Sequence, residues 1–138
     1  MYQTILVTLD TNPTDRAIIE HVKKLAKYMG SRVVLLHVAA GAAAKWLGAE
    51  AGGEEVETSQ AYLNQVKAEF EAAGVPAATE LAFGEPPTEI VKWVEAHGCD
   101  LVAMSTHGHR WLGDMVYGTT AIDVQHRLSM PVLLLRAK

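Results

Sequence analysis

Cysteine is nearly missing from this chain: Cys99 stands alone among 138 residues. It cannot close an internal disulfide, and with no CxxC pair or zinc-type companion it reads as a small packed residue in a reducing compartment. Long apolar runs are missing too. Nothing approaches the ~20 residues a membrane-spanning helix requires. The N-terminus, Met1 to Asp10, lacks the basic n-region of a signal peptide and enters a strand-like pattern at once. A soluble, cytoplasmic protein with no membrane partner is expected. Basic excess is also absent, since 12 Lys and Arg against 16 Asp and Glu leave a net charge of −4. That argues against capture of nucleic acid, which requires clustered cations to neutralise many phosphates. A small anionic ligand needs only a local positive site, and backbone N–H groups can supply much of it.

The usual enzyme motifs are missing as well. No GxxxxGK[ST] provides the lysine grip of a P-loop, and no GxSxG elbow supports Ser105 as a nucleophile. The segment DTNPTD follows the first strand where a dinucleotide fold would carry GxGxxG. At most, weak nucleotide hydrolysis is expected. Trp46, Trp93 and Trp111 are not interleaved with basic residues as a base-stacking series would be. Trp93 reads as packing on a helix, Trp111 as a loop residue suited to an interface or lid.

What is present is a regular alternation. Thr4 to Leu9 is a short β-rich run. Asn12 can cap a helix whose first residue is Pro13, with Ile18, Val22, Leu25 and Met29 on one face and Gly30 as its stop. Arg32 to Val38 is almost continuously apolar, the pattern of a parallel strand covered on both faces. From Ala39 to Gly53 alanine and glycine dominate; a surface insertion is expected there, with a lid over a ligand as the other reading. A second helix, Glu54 to Ala73, carries Val56, Leu63, Val66 and Phe70 on one stripe. Ala78 to Phe83 is a third strand, and Gly84-Glu85-Pro86-Pro87 turns into a third helix bearing Ile90, Val91 and Val94. Asp100 to Thr106, Thr119 to Leu128 and Pro131 to Arg136 complete the series as strand, helix and strand.

This βαβαβαβαβ order predicts one domain, residues 1–138, with a three-layer α/β architecture and a mainly parallel sheet. Ligands of such sheets sit outside the carboxyl ends of the strands, where strand order reverses. The rule selects Thr8, Leu9 and Asp10 after the first strand, Val38 after the second, Gly84 after the third, and the loop that starts at Ser105. Asp10 there could accept from a ribose or adenine donor, or serve instead to cap the first helix with Asn12.

That loop reads STHGHRWLGDMVYGTT, Ser105 to Thr120. Gly108 and Gly118 leave the backbone open to a phosphate, and Gly118-Thr119-Thr120 is read as opening a helix with free N–H groups and threonine hydroxyls. Arg110 and a protonated His107 or His109 would add charge-assisted hydrogen bonds. A glycine-rich turn before a threonine-capped helix is the plainer alternative. A transition-metal site is disfavoured, because zinc takes three or four protein ligands and His107-Gly108-His109 lacks further companions at a recognisable spacing. Magnesium arriving with a nucleotide would bind through phosphates and one carboxylate such as Asp10.

Taken together, ILVTLD, VVLLHV, Gly84-Glu85-Pro86, CDLVAMSTHGHR, Gly118-Thr119 and PVLLLR resemble the universal stress protein family over the whole chain except the insertion. The ATP-binding branch of that family carries glycine, two residues, glycine, nine residues, then glycine and Ser or Thr. Gly108, Gly118 and Thr119 match, whereas Ser105 replaces the first glycine. Thr8 is a lesser departure, at a place where many relatives have proline or a small apolar residue. The resemblance implies five parallel strands ordered 3-2-1-4-5, as in adenine nucleotide α-hydrolase-like domains. It also implies ATP with Mg2+, the adenine between Asp10 and Val38, the ribose near Ser105, and phosphates on Gly108, His109, Arg110, Gly118, Thr119 and Thr120. A homodimer through Val132, Leu133, Leu134 and Leu135 is implied too. The function that follows is a nucleotide-dependent stress-response or signalling module. A dimeric interaction module that binds no nucleotide, or a slow ATPase, is the alternative.

Overall fold

Strand β1 (Thr4–Thr8) carries Ile5, Leu6 and Val7, none of which keeps any exposed surface. That is possible only where both faces of a sheet are covered. The computed structural model, which describes residues 1–39, 53–106 and 112–137, shows what covers them. After β1 the extended Asn12 accepts the Thr14 N–H at 2.9 Å and opens a 3-10 turn (Pro13–Asp15), which runs into helix α1 (Arg16–Met29). Pro13 sits where its missing N–H costs nothing. Helix α1 stops at Gly30, whose φ of 72° belongs to the left-handed region that favours glycine.

Strand β2 (Arg32–Ala39), helix α2 (Gly53–Ala72), β3 (Ala77–Phe83), α3 (Pro86–His97), β4 (Leu101–Thr106), α4 (Leu112–Arg127) and β5 (Val132–Arg136) follow. These bounds agree closely with the sequence pattern, with one exception. Helix α4 begins at Leu112 rather than at Thr119. No proline interrupts 112–118, Leu112, Met115 and Val116 recur at helical spacing, and Asp114 falls in the first turn, where an acid suits the helix dipole. Glycine at 113 and 118 lowers helix propensity by about 1 kcal/mol each without forbidding the helix. The anticipated insertion lies outside the described residues over 40–52.

The five strands form one parallel sheet in the order β3-β2-β1-β4-β5. On one face Ile5, Val7, Val33, Leu35, Leu101 and Ala103 pack with Ile18, Ile19 and Val22 of α1 and with Leu63, Val66 and Phe70 of α2. On the other, Leu6, Val34, Leu36, Val102 and Met104 pack with Ile90 and Val94 of α3 and with Ala121 and Val124 of α4. Each large side chain so buried contributes roughly 1.5–3 kcal/mol of transfer free energy. β1 lies between β2 and β4, so the connections diverge at its carboxyl end and leave a crevice there. Among the described residues, no helix is long and apolar enough to cross a membrane.

Candidate functional site

Parallel strands bring all their carboxyl ends to one side of the sheet, and there the chain surrounds a cavity of about 650 Å3. That volume is ordinary for a small-molecule or cofactor site. Leu36 and Met104 line it from the sheet, on the face that α3 and α4 cover, together with Ile90 of α3. β1 and the turn after it supply Thr8, Leu9, Asp10 and Thr11, while β2 supplies His37, Val38 and Ala39. Glu85, Pro86 and Pro87 approach from the start of α3, Ser105 from the end of β4, and Thr120 and Asp123 from α4.

Of the residues nominated from sequence, Thr8, Leu9, Asp10, Val38, Ser105 and Thr120 therefore meet around one space. His107, Gly108, His109 and Arg110 lie outside the described residues. Gly118 and Thr119 fall in the interior of α4, not at its start. Their N–H groups, and that of Thr120, are thus at positions where helical i to i−4 bonding engages them, which corrects the expectation of free donors at a helix N-terminus. Strand alternation sets Ser105 on the face of Leu101 and Ala103, away from the α3 and α4 side where the cavity opens. Its Oγ is buried and has no hydrogen-bond partner among the described residues.

Sequence reasoning missed the α3 wall and, on α4, reached Thr120 but not Asp123. The carboxyl-end rule had reached Gly84, one residue short of Glu85. Asp123 could have been found three residues beyond Thr120, on the same side of a helix. With Asp10, these residues put three carboxylates on the cavity wall, and none of the described lining residues is Lys or Arg. A wall of this kind suits hydroxyl and amino donors; among the described residues no three His, Cys, Asp or Glu side chains come together to hold a metal ion. Pro86 and Pro87 have no N–H, so the start of α3 offers fewer donors to an anion than most helices do.

Two local networks hold the wall in place. The Leu9 N–H donates to the Leu36 carbonyl, and the Leu9 carbonyl accepts from His37 Nδ1, each at 2.8 Å. A carbonyl only accepts, so the bond fixes the His37 proton on Nδ1. The second network surrounds Asp15, which is fully buried. Its carboxylate accepts from the N–H groups of Asp10 at 2.9 and 3.1 Å, Thr11 at 2.8 Å and Asn12 at 3.4 Å, and from the Tyr62 hydroxyl at 2.8 Å. Burial pushes the Asp15 carboxyl above its ordinary range, against the pull of the Asp10 N–H, the Tyr62 hydroxyl and the Thr11 N–H. Burial also pushes the Tyr62 hydroxyl up, and its bond to Asp15 adds to the rise.

A doubly wound parallel sheet with its cavity at the β1/β4 switch point defines a class of α/β domains whose ligand cleft is made by strand ends and the turns that follow them. Within that class the chain belongs to the universal stress protein family, whose profile matches residues 1–136. Universal stress protein MJ0577 of Methanocaldococcus jannaschii is 28% identical over 157 residues, spanning 100% of this chain and 97% of that protein. The solved structure of MJ0577 matches with a TM-score of 0.85, over 100% of this chain and 98% of that one. A universal stress protein crystallised in complex with cAMP matches at a TM-score of 0.80 and 17% identity, over 99% of each chain. Another, from Archaeoglobus fulgidus in complex with dAMP, matches at 0.73 and 18%, over 96% of this chain and 97% of that one. At these last two identities the likeness is one of fold.

Proposed function

We infer that this protein is an adenine-nucleotide-binding universal stress protein, a cytoplasmic homodimer that takes ATP with Mg2+ and acts as a nucleotide-dependent stress-response or signalling module. The observation that carries this reading is the cavity at the β1/β4 switch point, which gathers Thr8, Leu9, Asp10, Val38, Ser105 and Thr120. The complexes of similarly folded proteins with cAMP and dAMP support an adenine nucleotide as the ligand class. In this reading Asp10 and Val38 flank the base, and the ribose lies by the Ser105 backbone. The phosphates extend towards 107–110 and Gly118, Thr119 and Thr120. Mg2+ in this reading binds through the phosphates, with Asp10 as the candidate carboxylate for one of its waters.

Binding to the folded state alone stabilises it by mass action, by about 2.7 kcal/mol when ligand is present at 100 times its Kd. The expected outcome is a rise in melting temperature with millimolar ATP and Mg2+, smaller with GTP, together with an adenine nucleotide in the mass spectrum of small molecules released from freshly purified protein. No thermal shift and a nucleotide-free preparation would overturn the reading.

One observation favours a second reading, a dimeric interaction module that binds no nucleotide. With α4 helical from Leu112, the N–H groups at 118–120 are at internal helix positions and would have to leave them to meet a phosphate. The same two measurements decide between the readings.

A further inference from the structure

Behind the wall formed by Thr8, Leu9, Asp10 and Thr11 stands a carboxylate that does not line the cavity. Asp15 closes the 3-10 turn, and the chain folds back so that three successive N–H groups, from Asp10, Thr11 and Asn12, converge on it. Successive N–H groups can point at one anion only if the backbone curls into a concave nest. Here the curl places Thr11 at φ 60°, the only positive φ of a non-glycine among the described residues. A β-branched residue resists that region, so something must hold it there. The Tyr62 hydroxyl completes the ring at 2.8 Å and comes from α2, which ties the turn to a second element of the core. A nest of this kind often holds a bound anion, and in this chain the protein's own side chain fills it.

The geometry points to Asp15 as a positioning residue for the nucleotide: its carboxylate, anchored by Tyr62, holds the Asp10–Asn12 backbone in the curled form that sets Asp10 and Thr11 in the cavity wall. The inference rests on the nucleotide reading above. Asparagine at 15 keeps one acceptor oxygen and turns an NH2 group towards N–H donors, so part of the nest loses its partner and the strain at Thr11 pulls the turn open. Glycine at 11 adopts the same φ without strain, and should let the turn close around the weaker acceptor.

The test measures the Kd of Mg-ATP by calorimetry on the full chain for wild type, D15N, Y62F, T11G and D15N/T11G, with circular dichroism as the check on folding. D15N is expected to weaken binding about tenfold, as the loss of charge-assisted hydrogen bonds implies. Because Thr11 lines the cavity, T11G sets its own reference affinity, and the rescue is read within that background: D15N/T11G should lose clearly less affinity relative to T11G than D15N loses relative to wild type. Such a rescue is not expected if Asp15 serves stability alone. Wild-type affinity in folded D15N, or a loss from T11G to D15N/T11G as large as that from wild type to D15N, would overturn the proposal. If D15N does not fold, Y62F decides: a loss of about threefold or more in folded protein supports the role, and unchanged affinity overturns it. Failure of the wild type itself to bind Mg-ATP removes the nucleotide reading and this inference with it. Binding that is indifferent to Asp15 and Tyr62 removes the inference alone.

Discussion

Asp100 shows how one carboxylate can set the register of two strands. It accepts the N–H of Gln3 at 2.8 Å and of Thr4 at 2.9 Å, and its own N–H donates to the Thr4 carbonyl at 3.1 Å. The start of β1 is thereby fixed against the start of β4, upstream of the pairing of Ile5 with Leu101 on which the crevice depends. Partial burial pushes the Asp100 carboxyl up, but the N–H groups of Gln3, Thr4 and Asp100 itself, with the N-terminal ammonium, outweigh it and hold it below its ordinary value of 3.8. A carboxyl lowered in the folded state contributes stability above its unfolded pKa and loses it as pH falls through the folded value. D100N should therefore cost about 1 kcal/mol at pH 7, and the gap to wild type should close as pH falls below about 4. Urea midpoints across that range read it directly, and a constant gap would contradict the assignment. Thr8, Leu9 and Asp10 could be nominated from sequence because the end of an apolar strand marks its own carboxyl edge. Asp15 could not, since an acid at a helix start looks like an answer to the dipole. Nothing in the spacing tells that Tyr62, 47 residues away, reaches it.

Among the elements, the strands and the first three helices were legible because their apolar periods are unambiguous. VVLLHV can only be a strand covered on both faces, and Leu63, Val66 and Phe70 fall on one helical stripe and are buried together. The start of α4 was not legible, because LGDMVYG satisfies a helical period while its glycines also suit a phosphate turn. The two demands conflict at Gly118. In the helix a glycine costs about 1 kcal/mol relative to alanine, whereas in a phosphate turn it leaves the backbone open to close approach. G118A should accordingly raise the stability of the ligand-free protein by up to about 1 kcal/mol and weaken Mg-ATP binding at least tenfold, if the N–H groups at 118–120 must leave the helix to meet phosphate. Thermal unfolding without and with ligand measures both halves. A variant that gains stability and keeps its affinity would place the phosphates elsewhere.

At the scale of the whole molecule, the strand order leaves two open edges, β3 and β5, and they are not equivalent. β3 exposes Ala78, Glu80 and Phe83, and a charge on an edge discourages pairing with another chain. β5 presents Val132, Leu133, Leu134 and Leu135, all half-buried and uncharged up to Arg136. The direction of its free backbone groups follows from two bonds. Ala137 donates its N–H to Thr106, and the Pro131 carbonyl accepts from Val102, so residues 131 and 137 face β4. Sides alternate along a strand, so Leu133 and Leu135 also bond to β4, while the N–H and C=O of Val132 and Leu134 point to the open edge. Pairing of β5 with its copy across a two-fold axis would satisfy them and cover the apolar strand. L134P removes one of these outward N–H groups without taking a bond from the β4 ladder, and should give a folded monomer under conditions in which light scattering finds the wild type dimeric. L134A keeps the N–H and loses a comparable amount of packing, so it should remain dimeric. L133P removes a ladder bond and leaves its β4 partner unsatisfied, which should cost about 1–3 kcal/mol of stability. Light scattering after size exclusion, beside thermal unfolding, separates the three. A monomeric wild type would overturn the expectation of a dimer, and an L134P variant that stays dimeric would move the interface away from this edge.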